Sequence, residues 1–439
     1  MERVKKIIAL KNSPGAVRYL KNTSLLLGEK VFRMVTGLFV SIWVARYLGP
    51  EQFGLLSYAQ SFVALFAVVT TLGLDGIIVR ELVKNDSQKQ REELLGTAFL
   101  LRLITSIVVL VVLTVVVFLQ SNDYETNLLV VVIGSTVLFQ SFNVIDFYFQ
   151  SKVLSKYVVY SNLISLILSS LIKISLILNN ASLIAFAYVI LFDSLILMLG
   201  LIFYYLQNKL KISSWTFNLK LAKILIKDSW PLIISSIVVT IYMKIDIIML
   251  KELLGEQQVG LYSASSRISE LWYFIPVIVT SSFFPAILNA KNTSTELYNN
   301  RVKNLYRLLI WAAIILSIFV NIVAHDLIAF LYGTGYEGSS QILIVQIWSS
   351  IFIALMMVSN KWLLAENKTK FIFVRGTVGA VINVILNYIY IPIYGVQAAA
   401  YTSLITLIFS SLVIDLFTPT TRKHLLIKLA AFVPLYRKI

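Results

Sequence analysis

The chain has 439 residues, 58% of them hydrophobic and 14% charged; soluble proteins carry roughly 25% charged residues, so a soluble fold of this size is excluded. Cysteine is absent and only His325 and His424 supply imidazole, which excludes disulfides, Cys-ligated metals and a His-rich metal centre. The formal net charge of +16 raises nucleic acid as a partner, and the placement of the cations removes it.

The first 21 residues form a basic cytoplasmic N-terminus broken by Pro14-Gly15, with no short apolar run and small-residue cleavage site behind it; no cleavable signal peptide is expected. Beyond it, apolar windows of the length that crosses a bilayer recur to the far end of the chain. The stretch Ile107 to Leu119 is interrupted only by Thr114. Twelve membrane spans are predicted, at 22–46, 53–79, 94–119, 127–150, 157–178 and 182–206, then at 229–250, 259–289, 304–325, 339–362, 371–391 and 395–417. The fold class is therefore all-α, a polytopic membrane protein. A cytoplasmic linker at 207–228 separates the halves 22–206 and 229–417, and a basic tail follows at 418–439.

With the N-terminus inside, 27 Lys and Arg residues fall on cytoplasmic segments, and only Arg46 and Lys251 fall outside. One missed span would invert every later loop, so this asymmetry fixes orientation with both termini cytoplasmic. A rim of cations spread over many loops suits anionic headgroups, not nucleic acid. The tail His424–Ile439 alternates basic and apolar residues and is expected to lie along the membrane surface.

Leu48-Gly-Pro-Glu-Gln-Phe-Gly-Leu-Leu-Ser57 returns as Leu254-Gly-Glu-Gln-Gln-Val-Gly-Leu-Tyr-Ser263, six of ten positions matching at an offset of 206. Ala185-Phe-Ala-Tyr188 is echoed by Ala398-Ala-Ala-Tyr401. Two six-helix halves follow, parallel because six is even, with the expected substrate path between them.

Nine cations lie within the spans: Lys30, Arg33, Arg102, Lys173, Lys244, Arg267, Arg307, Lys361 and Arg375. Seven carboxylates accompany them: Glu29, Asp75, Asp146, Asp193, Asp246, Glu270 and Asp415. Arg307, Lys361, Asp415, Arg375 and Asp146 sit close enough to span ends to snorkel. The deeper charges cost about 2.5–3.5 kcal/mol each on insertion scales. Glu29 and Arg33 share a helix face at i,i+4, and Arg267 and Glu270 form a similar i,i+3 pair. At the 206 offset these charges meet Ser235, Val239, Ser61 and Ala64, so the charges break the repeat that the scaffold keeps. Each pair has a plain structural role available, locking helices together. The unrepeated cationic excess instead suits an asymmetric anionic substrate such as a phosphate or diphosphate. Pro231 is expected to open the seventh span, and Pro276 and Pro285 to interrupt the eighth. No nucleotide-binding P-loop, zincin or nucleophile-elbow motif is present. No cofactor or enzymatic activity is expected, and energy would come from an ion gradient or the substrate's own gradient.

Gly28-Glu-Lys30 with Arg33, then Val44-Ala-Arg-Tyr-Leu-Gly-Pro-Glu-Gln-Phe-Gly-Leu-Leu-Ser-Tyr-Ala59, then Leu72-Gly-Leu-Asp-Gly with Val79-Arg-Glu-Leu-Val83 resemble the start of Wzx-type polysaccharide and O-antigen repeat-unit flippases. These belong to the multidrug/oligosaccharidyl-lipid/polysaccharide exporter superfamily. The resemblance is most specific over residues 22–84. It implies flipping of an undecaprenyl-diphosphate-linked glycan across a prokaryotic plasma membrane, in lipopolysaccharide or related polysaccharide biosynthesis, with a polymerase of the same pathway as a partner. It implies a V of two halves whose first, second, seventh and eighth helices face a cationic cavity. Carried over, Lys30, Arg33 and Arg267 become substrate contacts, with Lys244, Arg102 and Lys173 behind them. Glu29, Asp246 and Glu270 become proton- or sodium-coupling groups, followed by Asp75 and Asp193. Two other readings compete: a drug exporter of the same superfamily, disfavoured by the cationic excess, and a membrane polymerase or ligase, disfavoured by short outer loops.

Overall fold

The computed structural model describes residues 14–85, 87–120 and 123–433. Most of the basic N-terminus and residues 434–439 of the tail lie outside the described residues. Eleven helical segments are long and apolar enough to span a membrane. The first, Lys21–Lys84, has 64 residues and would reach ~96 Å as one rod, about three bilayer cores. It is broken at Gly49 (φ 73°, ψ 171°), which divides it into two and restores the twelve spans.

In chain order the helices are α1 (Pro14–Thr70), α2 (Asp75–Lys84), α3 (Gln88–Leu119), α4 (Tyr124–Gly134), α5 (Thr136–Gln140), α6 (Val144–Ser151), α7 (Lys156–Leu178) and α8 (Leu183–Gln207). They continue as α9 (Leu219–Leu254), α10 (Glu256–Glu270), α11 (Phe274–Lys291), α12 (Thr295–Tyr332), α13 (Gly338–Gln346), α14 (Ser349–Ala365), α15 (Thr369–Tyr394), α16 (Val396–Ser411) and α17 (Pro419–Ala431). Lipid-facing stripes are plain on the long helices. On α12, Ile315, Ile322 and Phe330 stand out at seven- and eight-residue spacing, while Leu305, Tyr306, Leu309 and Ile310 are buried.

The chain forms two compact units. Unit one takes the described residues up to Val44 and Phe62–Ile237; unit two takes Ala45–Ser61 and Val238 onward. The division falls within α9, not in the expected linker at 207–228. That linker is short and ordered. Asn218 Oδ1 accepts from the amides of Lys220 and Leu221 and caps α9, while the Asn218 amide donates to Thr97 Oγ1 at 3.0 Å. Because α9 begins at Leu219, Pro231 lies inside it and does not open it. The core of unit one gathers Leu74 just before α2, Ile78 and Leu82 of α2, Leu95 and Ala98 of α3, Val144, Ile145 and Phe149 of α6, and Tyr205 of α8.

In unit two, the two copies of the repeated loop meet. Gly255 (φ 87°, ψ 177°) repeats the left-handed turn of Gly49, a conformation that glycine adopts without steric cost. Five residues past each turn stands another glycine. A Cβ on Gly54 would overlap the Glu256 carbonyl, and one on Gly260 would overlap the Pro50 carbonyl. Pro50 and Glu256 are themselves 206 apart, so the contact is reciprocal.

Spans two, four, eight and ten are broken. The second unwinds at Thr71–Leu74, with Leu72 and Gly73 at positive φ. A Cβ on Gly73 would come within 2.8 Å of Leu232 Cβ and 3.1 Å of the Ser229 carbonyl. The fourth tightens into a 3-10 turn at Ser141–Asn143 and the eighth at Leu271–Tyr273. Pro276 explains the latter, since its ring clashes with the carbonyl four residues back, at Trp272. Pro285 sits inside α11 without breaking it.

The tail corrects its expectation. Helix α17 is docked into unit two with His424 and Lys428 buried. Lys428 Nζ reaches Asp415 Oδ2 at 2.7 Å and the Ser411 carbonyl at 2.6 Å. Arg375 pairs with the other oxygen of Asp415 and donates to Ser359 Oγ at 2.6 Å. Arg375 and Asp415 therefore close on each other instead of snorkelling. His424 stacks on Trp362 with ring centroids 3.8 Å apart and shares a 2.7 Å hydrogen bond with Tyr306. Basic-apolar alternation hides this arrangement, because His424 and Lys428 are one helical turn apart and face inward together.

Two predictions follow from this packing. Gly260→Ala forces a Cβ into backbone and is expected to lower thermal stability in detergent by about 1–3 kcal/mol or more. Gly28→Ala, with nothing within 4 Å, is the neutral control. Separately, burial, with Lys428 and Arg375 nearby, holds His424 well below the ordinary imidazole value of 6.5. A docked value below the undocked one makes docking full-strength above pH 6.5 and weaker below it, by up to about 1.4 kcal/mol per pH unit. Lys428, pushed down to about 8, keeps its charge across that window. Amide exchange in 419–431, corrected for intrinsic rates, is expected to rise below pH 6.5 in the native protein and to stay flat in His424→Phe.

Candidate functional site

Unit one holds a polar cavity of about 510 Å³ within its membrane-spanning helices. The unwound segment at Thr71–Leu74 brings Thr71 and Asp75 to its wall; irregular backbone at membrane depth is tolerated where it lines such a space. From α3, Arg102 is 3% exposed and donates Nη1 to Asp75 Oδ1 at 2.9 Å. Its guanidinium lies 5.4 Å from the Phe147 ring centroid, and its Nε has no partner. Asp146 lines the same cavity with Oδ1 buried and unpartnered. Asp146 was expected to snorkel and instead turns inward. Glu29 and Lys30 of α1 lie within electrostatic range of it.

Glu29 is buried and accepts from Arg33 Nε at 2.8 Å, the pair anticipated from i,i+4 spacing. Arg33 Nη2 is buried without a partner, and Lys30 is exposed. Asp193 accepts from Ser165 Oγ at 2.5 Å, tying α8 to α7; Lys173 is half-buried on α7.

Unit two holds a second cavity, of about 270 Å³, lined by α9, α10, α13, α14, α15 and α16. Its centre is Asp246. Tyr262 Oη donates to Asp246 Oδ2 at 2.7 Å, Ser403 Oγ to the same oxygen at 2.5 Å, and Asn387 Nδ2 to Oδ1 at 2.6 Å. Asn387 also donates to Asn383 Oδ1 at 3.2 Å and accepts from Thr402. Among the described residues no Lys or Arg lies within ion-pair distance of Asp246. Neutral donors ease its desolvation, and the net negative charge stays uncompensated. Lys244, two residues away, is half-buried.

Arg267 and Glu270 form no ion pair with one another among the described residues. Arg267 sits over the Phe53 ring at 5.1 Å, while Glu270 lines the unit-two cavity from an exposed position. Backbone spacing allowed the pair, and the aromatic face took the guanidinium. The expected site residues thus gather as Glu29, Lys30, Arg33, Asp75 and Arg102 in unit one, and as Asp246 and Glu270 around the cavity of unit two. Reasoning from formal charge passed over Gln140, Asn143 and Gln150, and also Tyr262, Asn387 and Ser403. The signal was available: amides within an apolar span, at three- or four-residue spacing, mark an inward polar stripe.

Residues 231–389 match the MatE family profile. A probable flippase, AglR, of Haloferax volcanii is 24% identical, over 89% of this chain and 81% of that protein. A putative O-antigen transporter of Shigella flexneri is also 24% identical, over 85% of this chain and 91% of that protein. Among solved structures, the lipid II flippase MurJ in an inward closed conformation superposes with a TM-score of 0.74 at 18% identity, covering 92% of this chain and 90% of that one. An inward-facing multidrug-resistance MATE transporter gives 0.73 at 14% identity, covering 92% and 96%. The twelve-span fold is thus that of this transporter superfamily. Residues 19–291, more than half of the chain, match the profile described as polysaccharide biosynthesis protein, and the chain belongs to that family.

Proposed function

We propose that the protein is a flippase that moves undecaprenyl-diphosphate-linked oligosaccharide repeat units across a prokaryotic plasma membrane by alternating access, driven by a proton or sodium gradient. The observation that carries the coupling is Asp246. A carboxylate buried among membrane helices, held by three neutral donors and by no cation among the described residues, demands a positive charge. A proton or a monovalent cation answers that demand, and its arrival or departure changes what Tyr262, Asn387 and Ser403 hold. The substrate reading rests on the family and on the intramembrane cations. Arg33 and Arg267 both carry guanidinium groups that no second carboxylate saturates among the described residues, as a diphosphate requires.

Two outcomes test this reading. Arg33→Glu and Arg267→Glu are each expected to abolish surface-glycan export while the protein still accumulates in the membrane; normal export at normal expression removes that residue from the site. In proteoliposomes, flipping is expected to accelerate with an imposed proton or sodium gradient, and Asp246→Asn to lose that acceleration. Full-rate flipping without a gradient overturns the coupling.

A further inference from the structure

The cavity of unit one has features that diphosphate binding and ion coupling leave unused. Gln140, Asn143, Asp146, Phe147 and Gln150 all line it. At 100° per residue they occupy one stripe about 120° wide on the broken fourth span. The 3-10 turn at Ser141–Asn143 lies at the start of that stripe, just after Gln140, the kind of local tightening that re-aims side chains at functional sites. Opposite stands Arg102, almost fully buried, with Nε unpartnered, and Asp146 Oδ1 is likewise buried and unsatisfied. Buried polar atoms in native proteins are nearly always satisfied, and two residues of this wall each keep one that is not.

The chemistry of the wall selects that partner. Asp75 and Asp146 repel a phosphate. The guanidinium of Arg102, already bonded to Asp75, disfavours a bare cation. An apolar drug would strand the amides of Gln140 and Asn143 and add nothing to the hydrogen bond between Gln150 and Asp146. A sugar suits such a wall, because each hydroxyl both donates and accepts: carboxylates take its hydrogen, the Arg102 guanidinium gives one, and amides do either. The volume, about 510 Å³, falls within the ~300–1,000 Å³ of small-ligand sites.

We propose that this cavity is a carbohydrate subsite, in which Gln140, Asn143, Asp146 and Gln150 hydrogen-bond hydroxyls of the sugar portion of the lipid-linked substrate and so set which glycan is accepted. It rests on the flippase reading and adds to it a place where the sugar is read. Asp75 acts here as a positioning residue, holding Arg102 at the cavity wall.

The test measures binding to the purified full-length protein in nanodiscs. The probes are undecaprenyl diphosphate alone and the same lipid carrying one hexose, one N-acetylhexosamine, one 6-deoxyhexose or one hexuronic acid. At least one glycosylated lipid is expected to bind about tenfold or more tightly than the bare lipid, the gain of one or two well-made hydrogen bonds to buried groups. In Asn143→Leu that preference is expected to fall to within about twofold. Because the readout is a ratio, a misfolded variant shows as loss of both lipids, and Gln150→Leu, at the exposed end of the stripe, then decides. If bare lipid binds and no sugar improves on it, or if both variants keep the wild-type preference, the subsite is overturned while the flippase reading stands. If wild type binds none of the five lipids, the flippase reading falls and the subsite with it.

Discussion

Hydrocarbon offers no hydrogen bonds, so every backbone amide, carbonyl and charge placed in it must find a partner within the protein. Helices satisfy that demand along their length, and the architecture is almost wholly helical as a result. The informative places are those where the helices give way. At Thr71–Leu74 the chain unwinds inside the second span, and local bonds take up part of the slack: Thr71 Oγ1 donates to the Val68 carbonyl and accepts from the Gly73 amide. The fourth span tightens at Ser141–Asn143, and its Ser141 hydroxyl meets Ser106 at 3.3 Å. The tenth span breaks at the corresponding point, where Ser350 meets Ser317 at the same distance.

Charge follows the same rule in two ways. Where it is structural, it is largely closed: Asp415 takes Arg375 on one oxygen and Lys428 on the other, although Arg375 also reaches the wall of the unit-two cavity and keeps a buried Nε without a partner. Around the two cavities it is left incomplete, as an Arg102 with a spare donor and an Asp246 with no cation among the described residues. Breaking a closed buried pair costs roughly 3–5 kcal/mol, which makes the Asp415 cluster a fixed point. The incomplete groups hold their place through neutral neighbours, and their charge remains available.

The spans and the repeat were legible because each is a one-dimensional property. Hydropathy windows and an offset of 206 need no knowledge of how helices rotate. The Glu29–Arg33 pair was legible for the same reason, lying within one helix. Arg102 with Asp75, 27 residues apart, and Arg375 with Asp415, 40 apart, depend on helix rotation, which apolar sequences on all sides do not declare. Depth estimates sent Asp146, Arg375 and Asp415 to the headgroups because they measured distance along a helix and ignored the direction of the side chain. The Asp246 network escaped because its members are neutral: a serine, a tyrosine and an asparagine are unremarkable alone and costly only together in lipid.

The reciprocal contact of the two glycine loops has the form of an isologous interface. Gly54 of the first repeat meets Glu256 of the second, and Gly260 of the second meets Pro50 of the first, so residue i touches j and j touches i, as in a two-fold dimer. Within one chain that symmetry no longer binds the surrounding residues. In a homodimer any new charge appears twice; here Arg267 stands where the first repeat keeps Ser61, and Arg33 where the second keeps Val239. Covalent fusion let the seam stay symmetric while the charges on either side of it diverged.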